Sequence, residues 1–284
     1  FFFVMQLTDV QIEEYKERGF LVLPGFASSV EAIASRMHTL VDAYQPGADA
    51  TTFDTVDQKQ KDDEFFLTSG NKVRFFLEEG AMVDGKLTRD KYQCINKCGH
   101  ALHTDDEVFK DFCNDPRIKS IVSQLGYQKP TVIQTMFIFK PPRIGGAVLA
   151  HQDNTFLTTE PESCMAFWFA MDDANASNGC MWVAPGSHKS GITRRFALAD
   201  DQKSCSFIPA DAPAVPEMRE EDYICCEVKK GDVLMFDGSL VHRSEKNTSD
   251  AQRNAFTMHI VDAQYPMAKE CWLQRGYSAL PLYN

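Results

Sequence analysis

No stretch of this sequence stays apolar for the roughly 20 residues that a membrane-spanning helix needs. The apolar run Phe1–Met5 is also shorter than the core of a secretion signal, about 7–15 residues. The chain has no internal repeat and no low-complexity tract, which argues against repeat architectures. Positive charge is the minority sign, with 29 Lys and Arg against 40 Asp and Glu. An acidic chain gains little from counterion release, so a nucleic-acid partner is not expected. The nine cysteines follow no framework, because Cys94/Cys98 and Cys225/Cys226 have no matching second pair. That argues against a four-cysteine zinc site and for reduced, buried thiols, as in cytosol. The glycosylation sequons at Asn175 and Asn247 are then chance matches. What is present, 44% hydrophobic and 24% charged residues, is ordinary globular usage. The expectation is a cytoplasmic protein with no nucleic-acid or membrane partner.

The first part of the chain reads as helical. Thr8 with Gln11 has the form of a capping box, and Gly19 sits where that helix stops. Phe20–Leu23 reads as a strand ended by Pro24-Gly25. Val30, Ile33, Met37, Leu40, Val41 and Tyr44 recur at helical spacing. A polar stretch of about 45–64 reads as a loop. Thr104 with Glu107, and Asp115-Pro116, mark two further helix starts. Beyond about residue 130 the texture becomes β-branched and aromatic in short runs, at 131–140, 164–171, 179–183, 232–236 and 253–261. Helices followed by such strands suggest an α+β fold with a mainly β core, an antiparallel barrel or sandwich dressed by N-terminal helices. Residues 196–230, with Pro209, Pro213 and Pro216, interrupt the pattern and read as a lid-like loop.

Two histidine motifs stand out. In His151-Gln-Asp153 the outer residues point to one face of an extended chain, so both can converge on one point. His242 closes the segment Lys230–His242, which reads as a strand, a glycine turn and the start of another strand. Two histidines and a carboxylate on facing strands make the facial triad of mononuclear Fe(II) sites, which leaves coordination positions open. Zinc also suits such ligands, which keeps a hydrolase in contention. Arg253, eleven residues after His242, favours the iron reading. A buried guanidinium beside such a site can grip the distal carboxylate of 2-oxoglutarate with both prongs. Ser244, two residues after His242, shares its strand face and can donate to a carboxylate. His259 shares the face of Arg253 by the same alternation. His100 and His103 read as cap or pocket-mouth residues with a second metal site as the alternative. His188 reads as a hydrogen-bonded structural residue, and Arg194-Arg195 as solvated side chains or contacts to an anionic substrate.

Together these motifs resemble the phytanoyl-CoA dioxygenase family of Fe(II)/2-oxoglutarate oxygenases. The resemblance runs from Gly19–Phe26 nearly to the C-terminus and rests on His151-Gln-Asp153, Asn178–His188, and Gly231-Asp232 through His242 to Arg253. Ser69–Phe76, Ile95–His103 and Thr159-Glu-Pro161 place it nearer the domain-containing branch of the family than the peroxisomal hydroxylase. The resemblance implies one dioxygenase domain over 1–284 with a double-stranded β-helix, or jelly-roll, barrel. Its helical part would span about 1–130, its barrel about 131–265 and its lid-like insert about 196–230. His151, Asp153 and His242 would be the metal ligands. Lys97, Met136, Trp168, Ser244 and Arg253 would contact 2-oxoglutarate. The implied cofactors are Fe(2+), 2-oxoglutarate and O2, with ascorbate as activator. Related halogenases lack the carboxylate ligand, so Asp153 implies hydroxylation. The family name implies an acyl-CoA or related acid as substrate. The C-terminal Leu282-Tyr-Asn284 is not a Ser-Lys-Leu address, which favours cytoplasm over peroxisome. A zinc-dependent hydrolase or a non-catalytic ligand-binding module on the same barrel are the alternatives.

Overall fold

The capping chemistry of the N-terminal segment sets the first helix. In the computed structural model, which describes residues 6–47, 50–53, 59–273 and 279–283, Thr8 and Gln11 form the reciprocal capping box of helix Asp9–Arg18. Gly19 ends it at φ 83°, a left-handed conformation that suits glycine. A side chain at Gly19 would also meet the His188 ring at 2.5 Å. The apolar stripe read in the next segment forms helix Val30–Ala43, which buries Val30, Ile33, Met37 and Val41. Asp115 caps helix Pro116–Gln124 as its sequence suggests. The helix read as opening at Thr104 is instead split. Asp106 breaks it, and its carboxylate caps Glu107–Cys113 through the Val108 and Phe109 N–H groups. Phe1–Met5, part of the 45–64 stretch and Asn284 lie outside the described residues.

The strands form an antiparallel jelly roll, the double-stranded β-helix expected. The main sheet runs in the order Phe20–Leu23, Val233–Asp237, Met165–Ala170, Ala255–Asp262, Pro130–Ile138, Ile95–His100, Val73–Leu77. The minor sheet runs Ile224–Cys226, Met181–Val183, His242–Ser244, Val148–His151. Both edges of the main sheet come from the part of the chain that reads as helical. The 196–230 segment is not one loop. Arg195–Leu198 pairs with Cys205–Ile208, Phe196 and Cys205 are buried beside Trp272, and Ile224–Cys226 joins the minor sheet. Phe196, Ala197 and Cys205 are buried in this hairpin, and the prolines follow it.

The pleat of the main sheet sorts its side chains cleanly. Phe167, Phe169, Phe256, Met258, Met235 and Val233 face outward and pack against the helices. Their neighbours Trp168, Thr257 and Leu234 face the barrel interior, in register with Met136. All nine cysteines are free, and all but the half-buried Cys225 are buried. Among the described residues, no helix is long and apolar enough to cross a membrane.

Candidate metal centre

The two histidines meet because the minor sheet pairs their strands directly, His242 opposite His151. Strand Val148–His151 ends at His151, but Gln152 keeps extended dihedrals, so alternation carries Asp153 back to the same side. Gln152 points away and donates to the Ser239 and Gly191 carbonyls. Asp153 Oδ1 lies 3.6 Å from His151 Nε2 and 3.7 Å from His242 Nε2. One ligand atom from each residue lies within 4.8 Å of the other two.

The tautomers follow from the backbone. His151 Nδ1 donates to the Leu149 carbonyl and His242 Nδ1 to the Leu240 carbonyl, each at 2.9 Å. Both Nε2 atoms are thereby left as lone-pair donors turned to one point, as metal-binding imidazoles require. Burial, then the neighbouring His151, pushes the His242 pKa down to about 4, which keeps that ring neutral. Burial alone would raise the Asp153 carboxyl. The His259, His242 and His151 rings override it and hold Asp153 well below the usual carboxylate range. His259 Nε2 bonds Asp153 Oδ2 at 3.2 Å, which orients the carboxylate from behind. An ionised oxygen and two imidazole Nε2 lone pairs fit a divalent iron.

Arg253 lies beside this group in the interior. It is 2% exposed, and burial lowers its pKa to about 10, so it stays charged. Its Nη2 donates to the Gly179 carbonyl at 2.8 Å and lies 3.4 Å from Ser244 Oγ. Its Cζ stands 5.3 Å from the Trp168 ring centroid. Among the described residues, its Nε and Nη1 are buried with no hydrogen-bond partner. Unpaired guanidinium donors are unfavourable in an interior, and a carboxylate is the group that satisfies them. Gly179, at φ 82°, allows this arrangement, since a Cβ there would lie 2.5 Å from the Glu245 carbonyl oxygen.

The other residues singled out in the sequence fall into place differently. Met136 and Trp168 face the interior and flank Thr257 across the sheet. Lys97 shares that face, two strands from Arg253, with its ammonium 3.0 Å from the Phe53 ring centroid. His100 is held by Ser69 Oγ at 2.9 Å and His103 by Thr135 Oγ1 at 3.0 Å. Among the described residues, the triad is the one group of three or more such side chains close enough to hold a metal. His188 bonds the Lys16 carbonyl. Arg195 pairs with Glu160 and Glu270, whereas Arg194 lies over the Phe207 ring. Sequence reasoning missed Lys140 and Glu78. Lys140 is 3% exposed and Glu78 equally buried, with its carboxyl pushed up to about 7 by burial. A lysine before Pro141-Pro142 carries no interior signal of its own.

Comparison with known proteins agrees with the geometry. Residues 15–255 match the phytanoyl-CoA dioxygenase family model. A phytanoyl-CoA dioxygenase of Arabidopsis thaliana is 40% identical over 281 residues, 98% of this chain and 97% of that one. The phytanoyl-CoA dioxygenase domain-containing protein 1 of Mus musculus is 38% identical over 268 residues, 90% and 91% of the two chains. Among solved structures, EctD from S. alaskensis with 2-oxoglutarate and 5-hydroxyectoine superposes with a TM-score of 0.64 at 16% identity, covering 95% and 84%. The non-heme alpha ketoglutarate dependent carbocyclase SnoK gives 0.59 at 19% identity, covering 97% and 96%. At such identities these two establish the shared fold.

Proposed function

The chain belongs to the phytanoyl-CoA dioxygenase family, and from that premise we propose a role for each residue of its site. The protein is a 2-oxoglutarate-dependent dioxygenase. In this reading His151, Asp153 and His242 hold Fe(II), and Arg253 binds the distal carboxylate of 2-oxoglutarate with Ser244 and Lys97 assisting. Met136 and Trp168 wall that pocket. Iron bound there supplies the redox chemistry by which O2 converts 2-oxoglutarate to succinate and CO2 and hydroxylates a C–H bond. The protein's own part is to turn both Nε2 lone pairs to one point, keep His242 neutral, hold Asp153 ionised, and present a charged clamp in a dry interior. The hydroxylated compound is proposed to be a small organic substrate, an acyl-CoA or the related acid.

The observation that carries this reading is the pairing of a two-histidine, one-carboxylate group with a buried arginine whose Nε and Nη1 find no partner among the described residues. Purified protein with Fe(II), ascorbate and O2 should release succinate slowly, and a matching substrate should accelerate it. A panel of acyl-CoAs, free acids and nucleosides identifies that substrate. Asp153→Ala should abolish both succinate release and metal retention. Arg253→Lys keeps the charge but loses the fork, and should raise the 2-oxoglutarate requirement at least about tenfold with metal content unchanged. Anaerobically purified protein that retains zinc and turns over no 2-oxoglutarate would refute the assignment.

A further inference from the structure

Lys140 reaches the carboxylate pocket from outside the barrel strands. It follows strand Pro130–Ile138 and adopts φ 34°, which is unusual for a side chain with a Cβ. Its methylenes thread past two glycines. A Cβ on Gly145 would lie 2.7 Å from Lys140 Cγ, and one on Gly179 2.4 Å from Cε. At the end of this passage the ammonium donates to Ser244 Oγ at 2.7 Å and to the Gly146 carbonyl at 2.9 Å. The main chain of the same residue is also committed to the pocket. Its carbonyl accepts from the Arg253 backbone N–H at 3.3 Å and from Asn247 Nδ2 at 3.0 Å.

The result is two basic groups in one buried place, where burial and then the neighbouring Arg253 push the Lys140 ammonium well below its usual pKa. Ser244 Oγ takes a bond from Lys140 at 2.7 Å and a long one from Arg253 at 3.4 Å, and gives its own proton to the Gly179 carbonyl at 2.8 Å. A hydroxyl has one proton and two lone pairs. With both lone pairs occupied, Ser244 has only its proton to offer a ligand, and offering it means leaving the Gly179 carbonyl, which keeps its bond from Arg253 Nη2. The carboxylates that face Lys140 are the buried Glu78 and the more exposed Glu245. Neither forms a hydrogen bond or ion pair with Lys140 or with Arg253 among the described residues. Two desolvated basic groups with no carboxylate bonded to either lack a counter-charge until an anion arrives.

We infer that Lys140 is a positioning residue of the co-substrate pocket: it holds Ser244 Oγ beside Arg253 and offers a distal carboxylate a second basic group. This rests on the carboxylate assignment to Arg253 made above. It extends that assignment to a residue outside the set implied by the family resemblance.

The test is equilibrium binding to protein loaded anaerobically with Mn(II), which removes turnover from the readout. 2-Oxoglutarate is compared with 2-oxobutyrate, which keeps the 2-oxo acid end and lacks the distal carboxylate. Lys140→Met should weaken 2-oxoglutarate at least about tenfold and leave 2-oxobutyrate and Mn(II) binding unchanged. In a Ser244→Ala background the same substitution should lose much of its effect, because its route runs through that hydroxyl. Lys140→Gln, which keeps a neutral donor, carries the test if the methionine variant does not fold. Unchanged 2-oxoglutarate binding, or equal weakening of both acids, would overturn the inference. Unchanged binding in Arg253→Ala would instead overturn the carboxylate assignment beneath it.

Discussion

The two faces of the main sheet are built from adjacent residues and do opposite work. Outward, Phe256 is fully buried against Phe109, Phe112 and Phe169, with ring centroids 5.3–6.0 Å away. Inward, its neighbours Thr257 and His259 look into the site, and Arg253 lies just before the same strand. The outer face holds the fold through apolar area, which needs no particular partner atom. The inner face carries polar groups that the fold alone leaves short of partners. The lesson is that one strand can separate stability from chemistry by its pleat, with a single residue between them.

Breaking the outer face should have the largest effect. Phe256→Ala should cost about 3–5 kcal/mol of stability by transfer and cavity terms. At roughly 2 °C per kcal/mol for a chain of this size, that is a fall in Tm of about 6–10 °C. Activity per folded molecule and 2-oxoglutarate affinity should be unchanged. Calorimetry paired with active-site titration checks this, and a matching loss of affinity would show that the faces are coupled.

Glu78 tests whether the interior stores charge at a cost. Burial raises its carboxyl from 4.5 to about 7, so the fold favours the protonated form. The stability this gives is fully present below pH 4.5 and is lost as pH rises through about 7. A shift of that size corresponds to about 3 kcal/mol at most. Glu78→Gln should therefore gain in Tm relative to the parent between pH 5 and 8 and level off above. A difference independent of pH would contradict this.

The smallest effect should come from the inner face. Trp168→Phe keeps an aromatic wall 5.3 Å from the Arg253 guanidinium but shrinks it. Stability should fall by about 1–2 kcal/mol, while the 2-oxoglutarate half-saturation should rise by about two- to fivefold. A stability loss as large as that of Phe256→Ala would erase the distinction between the faces.

The outer face was easy to read in the sequence because its determinants are local. Period-2 runs such as Arg253–Val261 and the stripe of Val30–Ala43 announce themselves. The proximity of His151 and Asp153 was also legible, since it needs alternation across one extended residue. What escaped was long-range. Lys140 reads only as the end of the 131–140 run before Pro141-Pro142, and its burial depends on Gly179, 39 positions later, leaving a path for it. The role of Asp106 escaped for a different reason. Thr104 and Glu107 have the spacing of a capping box, yet Asp106 offers a carboxylate to two N–H groups at once. The hairpin at Arg195–Leu198 was hidden by the prolines and charges that follow it.

The unpaired nitrogens of Arg253 have a consequence beyond affinity. They raise the free energy of the ligand-free fold, and a bound dicarboxylate releases that burden while leaving the unfolded chain untouched. By linkage, ligand at about a hundred times its dissociation constant adds roughly 2.7 kcal/mol to the stability of the native state. Chains kept near their stability threshold change abundance several-fold over such a range, because unfolded molecules are the ones removed by proteolysis. On the proposed assignment of Arg253, the protein's lifetime in the cell should follow the supply of 2-oxoglutarate, which its degradation rate at varied 2-oxoglutarate would check.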